Sequence, residues 1–230
     1  MTRAKRSASI TTSGLTIVSF VLFAAAGCGS AAPAEPSLPS TLTIGFGIPA
    51  TDTPEHGMQA AASIIAFEGL ASFASDGRPQ PQLAESWSES SDGLSWRIRL
   101  RPSVVFHDGS SADAHAVAAA LRARLLPSMG PAGTDISDIA ASGDREVVIR
   151  LKNRSAFVPE GLEITIQDSK RPNVGTGPFQ ITLSSPNGLE MSANKHYYLG
   201  PPHIDRIGFK PYSSLRAAWA DMLRGRVEML

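Results

Sequence analysis

The chain has 230 residues, of which 42% are hydrophobic and 18% charged, and its 21 basic side chains balance its 21 acidic ones. This composition is typical of a globular protein and excludes a wholly disordered chain. The balanced charge differs from the strongly basic composition typical of nucleic-acid-binding domains, so no nucleic-acid partner is predicted. The length allows one large domain or two small ones.

The first 28 residues have the three parts of a secretory signal peptide. Arg3, Lys5 and Arg6 form a basic start, the apolar run Leu15–Ala26 follows, and small residues end it. This run is shorter than the roughly 20 apolar residues that a transmembrane helix needs. We therefore predict that residues 1–28 direct export.

The single cysteine, Cys28, directly follows Ala25-Ala26-Gly27, which resembles a bacterial lipobox. In a lipobox the thiol is acylated and the cysteine becomes the new N-terminus, so we predict attachment to the cell membrane. Ala25 stands where Leu is usual, and Ala24-Ala25-Ala26 offers ordinary A-x-A cleavage and a soluble secreted protein as the alternative. One cysteine excludes an internal disulfide. Residues 29–40 are predicted to be a flexible tether.

A pair of strands is predicted between residues 83 and 102. Large apolar side chains alternate with polar ones after Gly93, a period that puts them on one face of a strand. They are Leu94, Trp96, Ile98 and Leu100. Ala84–Ser88 is a second short strand, because the intervening Ser90–Gly93 has the composition of a turn.

A helix is predicted after the turn at His107–Gly109. Ser110 followed by Asp113 fits a capping box, and apolar residues then recur at helical spacing until Pro127. The two strands and this helix form a compact α+β unit.

The other elements are predicted in the same way, from apolar alternation for strands and helical spacing for helices. The predicted strands are Thr41–Phe46, Glu146–Leu151, Phe179–Leu183 and Leu189–Met191. One predicted helix carries Met58, Ala61, Ala62 and Ile65 on one face, and a short one covers Asp135–Ala141. A last helix carries one apolar stripe of Leu215, Ala218, Trp219, Met222 and Leu223.

Several motifs occur in an order that resembles family 5 extracellular solute-binding proteins, the peptide- and nickel-type binding subunits of ABC importers. They are Phe67–Leu70, Leu83–Trp87, Asp92–Trp96, Leu100–Pro102, Phe106–Gly109, Gly175–Phe179, Asn194–Tyr198, Ile204–Phe209 and Gly225–Glu228. The ordered series is far more specific than any single tetrapeptide. The resemblance implies a further strand at Ile204–Phe209.

The resemblance implies a mixed α/β (α+β) fold, namely a periplasmic-binding-protein-like class II lobe with a small inserted α+β subdomain. Residues 41–70 and 163–230 would form part of lobe I, and residues 71–162 the inserted subdomain. The family is a two-lobed clamp that closes on its ligand by hinge motion. Since the resemblance covers only the first part of that fold, with an incomplete second lobe, we expect a fragment or a defective binder.

The implied function is that of an exported receptor, without enzymatic activity or cofactor, that passes oligopeptides or a similar small solute to an ABC permease and its ATPase. Ligand contacts are predicted for Asp52 and Thr53, in the loop after the first strand, and for Gly175, Thr176, Gly177 and Phe179. A solvated turn is the alternative for Asp52. The two glycines permit backbone conformations that are closed to other residues.

Two other groups of polar residues were considered as sites. Glu68 has no partner at a meaningful spacing, which favours a structural or surface role over a catalytic one. His107, Asp108 and His115 lack the spacing of a zinc site, and a turn before a helix is the favoured interpretation. No metal site is predicted.

Two other functions stay open. One is a surface lipoprotein in which truncation has removed transport activity. The other is a secreted hydrolase, which is less favoured because the sequence has no G-x-S-x-G element, H-E-x-x-H pair or informative Ser/His/Asp set.

Overall fold

The structure is a computed structural model that describes residues 40–47, 54–168, 171 and 173–230. Its strands are Thr41–Gly47 (β1), Ala71–Phe73 (β2), Pro79–Pro81 (β3), Ala84–Glu89 (β4), Ser95–Leu100 (β5), Ile136–Ala141 (β6), Glu146–Leu151 (β7), Phe179–Ser185 (β8), Gly188–Ala193 (β9) and Arg206–Tyr212 (β10). Its helices are Pro54–Ala66 (α1), Ala114–Ser128 (α2), Val158–Gly161 (α3) and Leu215–Leu223 (α4). The predictions for the signal peptide, Cys28, the tether up to residue 39, Asp52 and Thr53 lie outside the described residues.

The first of two four-stranded sheets has the order β1-β10-β9-β8. β1 and β10 are parallel, with Thr41 opposite Arg206, and the other two pairs are antiparallel. Alternate residues of a strand point to the same side of a sheet, and here one side packs on α1. The buried side chains of this core are Met58, Ala62, Ala66, Phe67, Phe179, Leu189, Met191, Ile207 and Phe209. The strands and the helix predicted for this part are confirmed.

The second sheet has the order β4-β5-β7-β6, is antiparallel throughout, and packs on α2. Of the four apolar side chains predicted to share one buried face, Ile98 and Leu100 are buried. Leu94 is 38% exposed, because it belongs to the turn before β5, where its N–H donates to the Asp92 carboxylate at 2.9 Å. Trp96 is partly buried at the edge of the core.

Residues 136–141 form strand β6, so the short helix predicted over Asp135–Ala141 is wrong. The physical reason is a β-bulge between Ile136 and Asp138, where the pairing with β7 shifts register. The bulge adds one residue to β6, so Ile136 and Ile139 are both buried although three positions separate them. Apolar residues three apart are also typical of a helix, so this spacing alone does not distinguish a helix from a bulged strand.

The start of α2 also differs from the prediction. Asp113 is itself the N-cap, and its carboxylate accepts a hydrogen bond from the Ala116 N–H at 2.9 Å. Ser110 instead donates its hydroxyl to Asp108 at 2.6 Å within the preceding turn. The capping box is therefore wrong by three residues, and the helix runs through Pro127 to Ser128.

Helix α4 is confirmed, but its predicted apolar stripe is divided: Ala218 faces the core and Met222 is half-buried, whereas the other three members are exposed. Ala218 and Asp221 are buried, whereas Leu215 is 53% exposed, Trp219 49% and Leu223 80%. The helix thus packs on β1 and β10 through its small side chains, and its large ones face solvent.

Each sheet has its own cluster of buried apolar side chains. The boundaries of the inserted subdomain at residues 71 and 162 stay predictions. Every helix in the described part of the chain is too short or too polar to cross a bilayer.

Candidate functional site

The segment Gly175–Gly177, which we call the glycine loop, crosses the last turn of α1 in direct backbone contact. A Cβ atom at Gly175 would lie 2.2 Å from the Ala66 carbonyl oxygen, and one at Gly177 would lie 2.2 Å from that of Ile65. The Gly177 N–H donates to the Ala66 carbonyl at 3.0 Å. Neither glycine has a positive φ, so the predicted use of an unusual backbone conformation is wrong. Glycine is required here because the two backbone segments approach too closely to leave room for a Cβ atom.

Glu68 lies between α1 and β2 and is 3% exposed. Its Oε1 accepts hydrogen bonds from the hydroxyls of Tyr197 at 2.7 Å and Tyr198 at 3.1 Å. Its Oε2 accepts one from the Thr176 hydroxyl at 3.2 Å, and the Gln82 amide lies 3.4 Å from Oε1. A buried carboxylate needs partners of this kind to offset its lost hydration. The structure therefore gives Glu68 a buried structural position.

Burial is the main electrostatic effect in this cluster. It raises the pKa of Glu68, and the hydrogen bonds from Tyr197, Tyr198, Thr176 and Gln82 oppose that rise by stabilising the carboxylate. Burial and the neighbouring carboxylate also raise the pKa values of both tyrosines, so their hydroxyls stay protonated and able to donate.

His107 holds the other side of the glycine loop. Its Nδ1 accepts from the Gly175 N–H at 3.3 Å, and its Nε2 lies 3.0 Å from the Gly177 carbonyl oxygen. This pattern requires the neutral tautomer with the proton on Nε2. Burial lowers the pKa of His107, which favours the same neutral form. The Asn194 amide also donates to the Gly177 carbonyl at 3.1 Å.

These contacts join five segments of the chain, namely the end of α1 with Glu68, Gln82, His107, the glycine loop, and Asn194–Tyr198. Both ring nitrogens of His107 contact backbone groups, and Asp108 forms an ion pair with Arg171. His107 therefore cannot act as a free base beside a nucleophile. Across the described residues, His, Cys, Asp and Glu side chains form no group of three able to hold a metal ion.

The described residues that were predicted to contact ligand lie together at one edge of the first sheet, opposite the end of β1. β8 and β10 are both antiparallel to β9, so they run in the same direction. β1 is parallel to β10 and therefore runs in that direction too. Phe179 begins β8 and therefore lies at the amino edge, with the buried glycine loop beside it. Gly47 and Pro54, which flank the loop containing Asp52 and Thr53, mark the carboxyl edge. β1 and β8 each have 7 residues. A strand of that length spans about 20 Å, which is therefore the distance between the two edges.

Glu68, His107, Tyr197 and Tyr198 were not recognised as one cluster from the sequence, because they come from segments up to 130 residues apart. One signal was present. Glu68 is a lone charged residue between two apolar stretches, which is typical of a buried, hydrogen-bonded carboxylate.

A concavity of about 620 Å³ lies elsewhere, on the sheet surface around Gly208. Its walls include hydroxyl groups and charges of both signs, from Thr43, Thr182, Glu190 and Lys210. None of the described residues predicted to contact ligand lines it.

The fold places the chain in the class of periplasmic-binding-protein lobes. The oligopeptide-binding protein AppA from Bacillus subtilis, solved in complex with a nonapeptide, matches with a TM-score of 0.67 and 22% identity over 83% of this chain and 44% of that chain. An ABC transporter substrate-binding protein from Sinorhizobium meliloti matches with a TM-score of 0.69 and 20% identity over 81% of this chain and 42% of that one.

Residues 78–230 match the family described as "Bacterial extracellular solute-binding proteins, family 5 Middle", and the chain belongs to this family. It is 31% identical over 216 residues to the nickel-binding periplasmic protein of Escherichia coli (strain K12). That match covers 82% of this chain and 40% of the relative, so the chain spans less than half of the relative's length. The family resemblance and the fold class predicted from the sequence are confirmed.

We expect Gly175→Ala to destabilise the fold. The added methyl group would meet the Ala66 carbonyl oxygen and lie 2.5 Å from the Phe67 ring, so backbone would have to move. Overpacking of this kind costs about 1–3 kcal/mol, measurable as a lower urea midpoint. Gly208→Ala is the matched control, because its Cβ would meet only Thr43, at 3.9 Å. Equal midpoint losses in the two variants would contradict the close-approach explanation.

We also expect acid to weaken the fold through His107. Its pKa in the folded chain lies below the ordinary value of 6.5, so the unfolded chain takes up the proton first as pH falls. The stabilisation is complete above pH 6.5 and is lost as pH drops below it toward the folded pKa. Urea midpoints at about pH 7.5 and about pH 5.5 should therefore differ less in His107→Gln than in the parent. His115→Gln, at an exposed position, should keep the parent's difference. The same pH dependence in all three proteins would refute this role.

Proposed function

We propose that the chain is the exported receptor subunit of an ABC importer, anchored by a lipid on Cys28, that binds oligopeptides or a similar small solute. In this proposal it hands its solute to a permease and the associated ATPase. Membership of family 5 supports the receptor role, and the described residues offer a binding scaffold in place of a catalytic set.

The observation that carries the proposal is the parallel pairing of β1 with β10. In open α/β sheets, ligands bind outside the carboxyl ends of such strands. Both strands end at the same edge, with Gly47 opposite Tyr212, and Asp52 and Thr53 follow Gly47 closely in the sequence. We therefore propose that the ligand meets this edge.

Two helices begin at the same edge. α1 starts at Pro54, and α4 starts after Ser214, whose hydroxyl accepts from the Ala217 N–H at 3.2 Å. Helix N-termini attract negative charge through their free N–H groups and their dipole. A peptide carries a carboxylate that suits these termini and an ammonium group that suits Asp52. The glycine loop, buried at the other edge, has the supporting role of fixing α1.

The ligand assignment is tested by titration calorimetry of the full chain with a mixture of nonapeptides and, separately, with nickel(II) and histidine. We expect saturable binding of peptide. Asp52→Asn should weaken that binding about tenfold, because a charge-assisted hydrogen bond to the peptide ammonium is lost. Asp76→Asn, in an exposed turn, is the matched control and should change nothing. Binding of nickel–histidine alone, or equal effects of both variants, would refute the peptide proposal.

Lipid attachment is tested by growing a bacterial host on labelled palmitate. Because Cys28 is the only cysteine, Cys28→Ser should remove all label from the protein and release it from the membrane fraction. Ser30→Ala, two residues further on, should keep the label. Unlabelled parent protein whose N-terminus follows the Ala24-Ala25-Ala26 run would instead favour simple secretion.

A further inference from the structure

The outer face of α4 is apolar and flanked by cations. Leu215, Trp219 and Leu223 are spaced four residues apart, so they form one stripe along the exposed side of the helix. Arg216 lies beside this stripe, three residues before Trp219. Arg224 and Arg226 follow the end of the helix and are also exposed. We call these six residues the α4 patch.

The charge of the α4 patch has one sign. From residue 213 to residue 227 every exposed charged side chain is an arginine. The single acid in this stretch, Asp221, is buried and is shared by Lys210 at 3.1 Å, Arg226 at 3.2 Å and Arg224 at 3.5 Å. The next acid, Glu228, accepts a hydrogen bond from the Thr43 main-chain N–H at 2.7 Å.

This excess of cations persists at neutral pH. The Tyr212 hydroxyl and the Lys210 ammonium lower the pKa of Asp221 to about 2, so one negative charge faces three positive ones. The shared carboxylate holds these cations together, and the surplus positive charge faces solvent.

We propose that the α4 patch docks on an anionic phospholipid surface, with Trp219, Leu215 and Leu223 entering the headgroup layer and Arg216, Arg224 and Arg226 contacting lipid phosphates. Surface-bound helices combine Trp and Leu on one face with basic residues beside it. Tryptophan suits the membrane interface because its ring is apolar and its N–H is polar. The biological role rests on the membrane attachment proposed above, whereas the vesicle contact itself can be measured without export or acylation.

Charge complementarity favours an anionic lipid bilayer as the binding partner of the α4 patch. Each basic residue near an anionic bilayer strengthens binding by about fivefold. An anionic bilayer offers many phosphates at no fixed spacing, so it can meet three exposed arginines whatever their arrangement, which a neutral partner surface cannot do. A second copy of this chain presents the same positive charge and would be repelled.

The experiment uses the full chain with vesicles of equal parts phosphatidylcholine and phosphatidylglycerol, and with phosphatidylcholine alone. Acrylamide quenching of tryptophan fluorescence is compared between the parent and Trp219→Phe, so the difference reports Trp219. We expect Trp219 to become about twofold less accessible to acrylamide on the anionic vesicles only, and high salt to reverse the change.

Two variants separate the α4 patch from other membrane contacts, including any made by the N-terminal segment. Leu223→Asp should lower the vesicle partition coefficient about tenfold, since it replaces an inserted apolar side chain by a charge. Ile64→Asp is the matched control, because Ile64 and Leu223 are both 80% exposed and Ile64 lies on α1. Arg216→Glu changes the charge by two units, so it should weaken binding to anionic vesicles by about 25-fold and leave binding to neutral ones unchanged.

Three results would overturn the proposal. Equal losses from Leu223→Asp and Ile64→Asp would mean that the α4 patch is not the contact. Unchanged quenching of Trp219 on anionic vesicles would mean that it does not insert. Protection of Trp219 that rises with protein concentration in the absence of lipid would identify a protein partner instead. The vesicle experiment does not depend on peptide binding, so these three results keep their meaning even if the calorimetric experiment detects no peptide binding.

Discussion

Backbone contact between the glycine loop and the last turn of α1 is the constraint on which the described fold depends. Carbonyl groups of α1 lie where side chains would stand at Gly175 and Gly177, so the two segments can meet only with glycine at those positions. Glu68 follows α1 directly and ties the same loop to Tyr197 and Tyr198 through hydroxyl donors. Removal of the Glu68 carboxylate would leave the hydroxyls of Thr176, Tyr197 and Tyr198 without this hydrogen-bond acceptor at the same time.

The sequence predicted most of the elements, since strict alternation and helical spacing are local signals. The predictions from sequence were wrong where one local pattern is compatible with two structures. Ile136 and Ile139 have helical spacing, yet the bulge in β6 turns both toward the core. The stripe on α4 was recognised as apolar, but which side of a helix faces the core depends on what packs against it. Here Ala218 faces inward and Trp219 outward.

The candidate site could be predicted only in pieces. The glycine loop was found from its motif, and a structural role was favoured for Glu68, but nothing in the sequence linked them to His107. That link arises from tertiary packing between distant segments, which periodicity does not encode. The placement of the glycine loop at the edge opposite the end of β1 also depends on strand direction. Strand order and direction follow from the whole topology of the sheet and not from any one segment.

Parallel pairing of β1 with β10 also sets an order of folding. Thr41 meets Arg206, whereas the strands of the second sheet all lie between residues 84 and 151. Contacts between residues far apart in sequence form late, because a long loop must close before the pairing stabilises it. The second sheet can therefore form early, while β1 stays without its partner until residue 212 has been synthesised. Completion of the first sheet therefore depends on nearly the whole of the described chain, whereas the second sheet depends only on its own 68-residue span from Ala84 to Leu151.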